Sequence, residues 1–310
     1  MDRQLPTRTS GAATTRASGP ARNQQQAVDI QLEGGSAPAT HAGKVLAAIQ
    51  PHCDDIPIFA GGTVSKLVAE GYSGVLIRTT NDEMAGAGRT PGEVILNNER
   101  DNYEVARRLG LHKVYDLGYR NHLLDGVSRT EMRARLIFLF RLLKVDTVVS
   151  YDPWAHYDEN PDHAITAEVV EAACWMAGSP LDYPEHFDAG LEPHAVTEKY
   201  YYARGPQLVN RVVDISGHVE QKVAANLANV TQGPAGNAGA RLRARLLKEG
   251  RDASFLGDTD EDADRAFIRQ FLLADDRELG RQFGVDYAEA FHHIRSGDDP
   301  VERFLEREGI

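Results

Sequence analysis

Several familiar kinds of chemistry have no apparatus in this sequence. It holds two cysteines, Cys53 and Cys174, far apart and without a C-x-x-C pair. That excludes a disulfide framework and a cysteine-based structural zinc site, and it fits a reducing, cytoplasmic setting. No stretch approaches the roughly 20 continuous apolar residues of a spanning helix, so no membrane partner is expected. The first residues lack the apolar centre of a signal peptide, and no export route is visible. Positive charge is in deficit: the formal net charge is -12, which repels nucleic acid and anionic membrane and leaves a small molecule as the expected partner. No G-x-G-x-x-G follows the first apolar run and no phosphate loop ends in Gly-Lys-Ser/Thr, which weakens a nucleotide-binding reading. Nor is there a G-x-S-x-G elbow for serine chemistry.

What the chain does have is a regular alternation. Residues 1 to 40, rich in Thr, Ser, Gly, Ala, Arg and Gln, read as a flexible leader. From residue 41 to 310 a single domain is expected. Short apolar runs at Val45–Ile49, Val75–Ile77, Lys113–Leu117 and Val145–Val149 read as buried strands. Helical spacing marks Thr63–Glu70, closed by Gly71, then Glu93–Leu109, stopped by Gly110, and Glu131–Leu143. Such alternation predicts an α/β fold, Rossmann-like, with a mostly parallel sheet and helices on both faces. Further strands are expected at Lys199–Arg204 and Val209–Val213, then a helix at Val219–Val230 and a helical C-terminal extension over Ala240–Phe283. The loop through Gly86 and Gly88 reads as a long connection, with a mobile lid as its alternative.

Two clusters carry the chemistry. Pro51-His52-Cys53-Asp54-Asp55 follows the first strand, and Asn160-Pro161-Asp162-His163 follows the fourth. In an open parallel sheet both lie on the carboxyl edge, where ligands bind. His52, Asp55 and His163 supply two imidazoles and one carboxylate, a ligand set that suits Zn2+ with a position left for water, although another divalent transition metal can use the same donors. Such an ion brings bound water towards a pKa of about 7, and Asp54, beside it but free of it, is the natural general base. The reaction class that follows is hydrolysis of an amide or ester. Asp162 either orients a ligand from just behind it or caps the helix that starts at His163. Asp55, ahead of Pro57, reads first as a helix cap when its motif is taken alone, and it is the second cluster that reverses the order.

Taken together, the His52-Cys53-Asp54-Asp55 loop, the Gly61-Gly62 pair and Asn160-Pro161-Asp162-His163 resemble the two signature motifs of the PIG-L/LmbE-like deacetylases, which act on N-acetylglucosamine derivatives. A Tyr-Ala-Glu pattern at Tyr287-Ala288-Glu289 also recurs near that family's C-terminus. The resemblance implies a Rossmann-like fold, zinc on His52, Asp55 and His163, Asp54 as general base, an N-acyl small-molecule substrate and, in many members, a homo-oligomer.

The departures from the family pattern are specific. Cys53 stands where Pro is common, and a thiol there invites oxidation. Asn160 replaces the histidine that opens the second motif, and an amide cannot deliver a proton. His156, four residues earlier, is the candidate replacement, or else a solvated loop histidine. The family's Arg-x-x-Glu reads Asn98-Glu99-Arg100-Asp101, and its acidic residue after the third strand reads Asn121. Arg100, Asn121 and Asn160 are therefore the candidate substrate-binding residues, in a pocket shaped for something other than the familiar amino sugars. The competing reading is a metal-containing binding protein with lost or residual catalysis. His292 and His293 either complete a neighbouring subunit's pocket or decorate an exposed strand end.

Overall fold

The computed structural model describes residues 29–35, 37–232, 236–296 and 300–309. In chain order the elements are β1 (Gln31–Glu33), β2 (Val45–Gln50), α1 (Asp55–Phe59), α2 (Gly61–Ala69), β3 (Ser73–Thr80), α3 (Pro91–Arg108), β4 (Lys113–Tyr119), α4 (Arg129–Leu143), β5 (Val145–Tyr151) and α5 (Pro161–Ala177). There follow α6 (Glu185–Asp188), β6 (Glu198–Tyr202), β7 (Arg211–Asp214), α7 (Val219–Ala228), α8 (Ala238–Lys248), α9 (Asp260–Phe267), α10 (Ala274–Phe283), β8 (Ala288–Arg295) and α11 (Pro300–Glu308). The strands form one eight-stranded sheet in the order β1-β7-β8-β6-β5-β2-β3-β4. Pairings are parallel except those of β8, which runs against both β6 and β7. This is the expected mostly parallel α/β sheet. Among the described residues no helix is long and apolar enough to cross a membrane.

The period-two alternation of β2 sends Leu46 and Ala48 into one core and Ala47 and Ile49 into the other. The first core gathers Ile56, Val64 and Leu67 of α1 and α2 with Val105 of α3, Leu109 just past its end, and Ile215. The second gathers Leu136, Ile137 and Phe140 of α4 with Val169, Val170 and Ala173 of α5. β2 lies between β3 and β5, so the chain leaves it towards β3 and β4 and later returns on its other side. That reversal is the switch point where open α/β sheets leave a crevice at the carboxyl ends of the strands, and both sequence motifs open into it.

Gly61 and Gly62 start α2, and a Cβ on Gly62 would lie 2.6 Å from Ile215 Cδ1, so glycine is what lets the helix approach the chain after β7. The first amides of α2 are received by β8: Gly62 and Thr63 donate to Glu289 at 3.0 and 2.8 Å. Glu289 also pairs with the wholly buried Lys222 at 2.7 Å, and Asp276 of α10 meets the same ammonium at 2.6 Å. The Tyr287-Ala288-Glu289 pattern thus fastens α2, α7, α10 and β8 at one buried ionic centre. Between α9 and α10 the chain winds one π-helical turn, Ile268–Leu272.

Three expectations are displaced. The leader was drawn to residue 40, yet Gln31–Glu33 form strand β1 beside β7; residues 1–28 and 36 lie outside the described residues. Glu33 anchors that strand, accepting from Lys66, Arg211 and the Tyr200 hydroxyl at 3.0–3.3 Å. His292 and His293 do not decorate an exposed strand end. His293 is buried with Nε2 2.9 Å from Glu198 and Nδ1 3.2 Å from Arg211, and His292 Nδ1 lies 3.3 Å from Asp152 Oδ2. The helix expected at Thr63 begins earlier, because α1 precedes it and α2 already starts at Gly61.

Glu289→Ala strips Lys222 of one of its two carboxylates and leaves the amides of Gly62 and Thr63 without an acceptor. Breaking a buried pair on one side costs about 3–5 kcal/mol, and the expected result is a urea unfolding midpoint lowered accordingly with the slope unchanged.

Candidate active site

The loop after β2 is closed by its own carboxylate. The His52 amide donates to Asp55 Oδ2 at 2.9 Å, so the turn folds back before α1 begins. Asp55 therefore does not cap the helix; the Ile56 amide is received instead by Gln50 Oε1 at 2.9 Å, and Gln50 is held by Asn102 of α3. From the β3 side, Thr80 Oγ1 donates to the Pro51 carbonyl at 2.7 Å and Asp82 accepts from the Cys53 amide at 3.2 Å. The second motif sits at the start of α5. Asn160 is its N-cap, accepting from the Asp162 amide at 3.0 Å, and Pro161 fills the first turn.

These two frames bring His52, Asp55 and His163 together. His52 Nδ1 and His163 Nε2 are 3.1 Å apart. Asp55 Oδ2 lies 3.4 Å from the first and Asp55 Oδ1 3.5 Å from the second. A tetrahedral ion with bonds of ~2.0–2.1 Å holds its ligand atoms ~3.3–3.4 Å apart, so the three donors stand at the spacing a small cation needs. The outward nitrogen of each ring is also fixed. His52 Nε2 meets Asp162 Oδ2 at 3.1 Å and His163 Nδ1 meets Asp158 Oδ2 at 2.8 Å. A carboxylate behind each imidazole sets its tautomer and leaves the inner nitrogen's lone pair for a metal. The Tyr151 hydroxyl donates to Asp55 Oδ1 at 2.7 Å, and its ring stacks on His163 at 4.3 Å.

The electrostatics favour positive charge at this point. Burial works against the His52 imidazolium, but hydrogen bonds to Asp162 and Asp55 outweigh it and hold its pKa well above the ordinary value. Burial likewise works against the Asp55 carboxylate, which His163, His52 and Tyr151 nonetheless keep below its usual range. Asp54 is the exception. Half-buried on the pocket wall, it is pushed up to about 7, first by burial and then by the neighbouring Asp55 charge. It is the carboxyl of the pair best suited to exchanging a proton near neutral pH.

A cavity of about 470 Å³ opens over these groups, lined by His52, Asp54, Asp55 and His163 together with Asn160, His122, Arg204 and Gln232. The other expected site residues fall differently. Asp162 does not cap α5; besides His52 it accepts from the amides of His122 and Leu124 and from Asn121 Nδ2. Asn121 is buried behind Asp162 and does not line the cavity. Arg100 is exposed on α3 and is not brought to the site, because the inward positions of that helix are Asn98, Asp101 and Asn102. His156 is exposed and lines no part of the cavity, which matches the solvated loop histidine. The histidine that does line the cavity from a loop is His122, its ring edge-on to His52 with centroids 6.2 Å apart. Sequence reasoning missed His122, Arg204, Gln232 and Asp158. Of these only Asp158 carried a local signal, as an acid five residues before a metal-type histidine.

Comparison with known proteins identifies the family. The family described as PIG-L, GlcNAc-PI de-N-acetylase, matches residues 47–174. A diacetylchitobiose deacetylase of Thermococcus kodakarensis is 32% identical over 197 residues, covering 62% of this chain and 71% of the relative. A 1D-myo-inositol 2-acetamido-2-deoxy-alpha-D-glucopyranoside deacetylase of Mycobacteroides abscessus is 25% identical over 227 residues, covering 60% and 81%. Among solved structures, the N,N'-diacetylchitobiose deacetylase of Pyrococcus horikoshii shares the fold with a TM-score of 0.65 at 24% identity, over 84% of this chain and 88% of that one. Two motifs joined over one crevice, and a relative this similar, place the chain in the PIG-L family of de-N-acetylases, the amidohydrolase class that its sequence resembles.

Proposed function

We propose that this protein is a zinc-dependent deacetylase that removes the acetyl group from the amide nitrogen of an N-acetylated amino sugar. The observation that carries the reading is the triangle of His52, Asp55 and His163 donor atoms, with Asp54 on the wall of the same cavity. The relatives from Thermococcus and Mycobacteroides supply the substrate class by name. Two imidazoles and one carboxylate suit zinc, which when bound supplies Lewis-acid polarisation of the amide carbonyl and a water made acidic enough to attack at neutral pH.

The protein's own groups do the rest. Asp54 takes the proton of the attacking water as the new C–O bond forms, and hands it to the sugar nitrogen as the C–N bond breaks. Acetate and a free amine are the products. Asn160 lines the cavity but cannot deliver a proton, and its Oδ1 is committed to the amide of Asp162. His122 lines the cavity beside His52 and donates a hydrogen bond to the carbonyl oxygen as it becomes negative. Asp158 and Asp162 keep the two ligand imidazoles turned inward.

Asp54→Asn is expected to retain one zinc per chain, read by elemental analysis, while kcat/KM for N-acetylglucosamine derivatives falls by about 10²–10⁴. His163→Ala loses the zinc itself. Turnover of no N-acetylated sugar by the zinc-loaded wild type would overturn the reading in favour of a metal-containing binding protein. Asp158→Asn is expected to weaken zinc affinity by about 10–100-fold, measured by chelator competition, with the fold intact by circular dichroism. For His122→Ala the expected loss is about 10²–10³ in kcat at nearly constant KM, the pattern of a donor that acts in the transition state.

A further inference from the structure

The cavity over His52 and His163 has a neighbour. A second chamber, of about 650 Å³, shares Ile58, Phe59 and Arg204 with it, so the two meet over a common sill. The second chamber is walled by the C-terminal extension, through Phe271 and Leu272 of the π-helical turn and Leu279 of α10, and by Val209 ahead of β7. π-turns inside helices recur at functional sites because they re-aim side chains that a regular helix would bury. Here Phe271 is left 47% exposed although a ring of that size gains ~1.5–3 kcal/mol on burial.

We infer that the substrate is an N-acetyl amino sugar bearing an apolar aglycone, with the sugar over the two histidines and the aglycone in the second chamber. The inference rests on the deacetylase reading and adds the chemistry of the group the sugar carries. A second sugar is the less suitable occupant, because its hydroxyls need partners once out of water. Two of the three carboxylates lining the chamber, Asp276 and Glu289, are already committed to Lys222. What remains is mostly aromatic and aliphatic, with Arg204 at the sill, Asp275, and Gln207, whose Nε2 already donates to the Tyr201 carbonyl at 2.9 Å. An uncharged, flat or branched apolar group fits that lining. Binding energy gained there acts at a distance from the reacting amide and stabilises ground state and transition state alike, so it lowers KM.

The zinc-loaded full chain should be assayed with the methyl and 2-naphthyl glycosides of N-acetylglucosamine and with N,N'-diacetylchitobiose, following amine release. The expected result is a kcat/KM at least tenfold higher for the naphthyl than for the methyl glycoside, carried by KM. Leu279→Asp, and separately the half-exposed Phe271→Ser, should bring that ratio back towards one. Equal values for the two glycosides, or a ratio that neither substitution alters, would overturn the inference. So would a tenfold gain for the disaccharide, lost in both variants, without one for the naphthyl glycoside. If no N-acetylated sugar is turned over, the deacetylase reading fails and the chamber is judged by binding alone. Saturable quenching of 2-naphthyl glucoside fluorescence, weakened tenfold by Leu279→Asp, supports it, and no binding, or binding unaffected by that substitution, refutes it.

Discussion

One imidazole ring, that of His52, has both of its nitrogens spoken for, and the site depends on that. Nε2 faces Asp162, while Nδ1 faces Asp55 and His163. A neutral imidazole carries one proton, and the outer carboxylate is the group placed to receive it, which turns a lone pair towards the centre. Around that lone pair stand one further imidazole and the carboxylate of Asp55, all buried. Against the effect of burial, Asp162 and Asp55 hold the His52 pKa well above its ordinary value, so this point of the structure favours positive charge. A divalent ion at the same donors would meet that demand with more charge, and its binding would be linked to proton release. Burial, which normally disfavours an ionised histidine, here makes the cation more strongly wanted, because the surrounding carboxylates have little water to turn to.

The sheet delivers this cluster by register. β2 and β5 are parallel neighbours, with Ala48 opposite Val149, so the loops that leave them emerge side by side at one edge. The loop after β2 is then clamped from the β3 side by Thr80 and Asp82, with Asp82 itself held by Arg78 at 2.9 Å. The loop after β5 is clamped by the cap of α5. Neither of these clamps touches the facing nitrogens of His52 and His163, but the scaffold does use Asp55: the His52 amide rests on its Oδ2 and the Tyr151 hydroxyl on its Oδ1. A carboxylate oxygen has lone pairs for a hydrogen bond and a cation at once, so the contacts that fix Asp55 leave it able to hold one.

Much of this could be read from the chain because it is local. His52 and Asp55 lie three residues apart on one turn, and the strand and helix alternation follows from short-range periodicity. What escaped depends on three-dimensional neighbourhood. Arg100 looked like a substrate contact because it is the cation in Asn98-Glu99-Arg100-Asp101, yet two residues along a helix rotate a side chain by about 200°. With Asn98 and Asp101 inward, Arg100 had to point out. His122 and His156 are both loop histidines, and only the topology says which loop leans over the crevice. The N-terminal strand spans three residues, too few for a period, and is defined instead by Glu33 reaching partners 33, 167 and 178 positions away. His293 reads as surface in a polar context and is buried because β8 runs between two strands rather than along an edge.

The exchange of ionisable groups for amides has the same logic. Asn98 donates to the carbonyls of Asp82, Ala85 and Val94, Asn121 joins Asp162 to the Met84 amide, and Asn160 caps α5. Each amide supports backbone or a supporting carboxylate, and an uncharged side chain does this without adding another charge to a site already rich in carboxylates. Arg204, from the segment after β6, stands on the sill between the two chambers with Nη1 3.8 Å from Asp158 Oδ1. The second chamber is built from the β6 side and the C-terminal helices, away from the β2 and β5 loops that carry His52, Asp55 and His163, so its lining can vary without disturbing those three side chains.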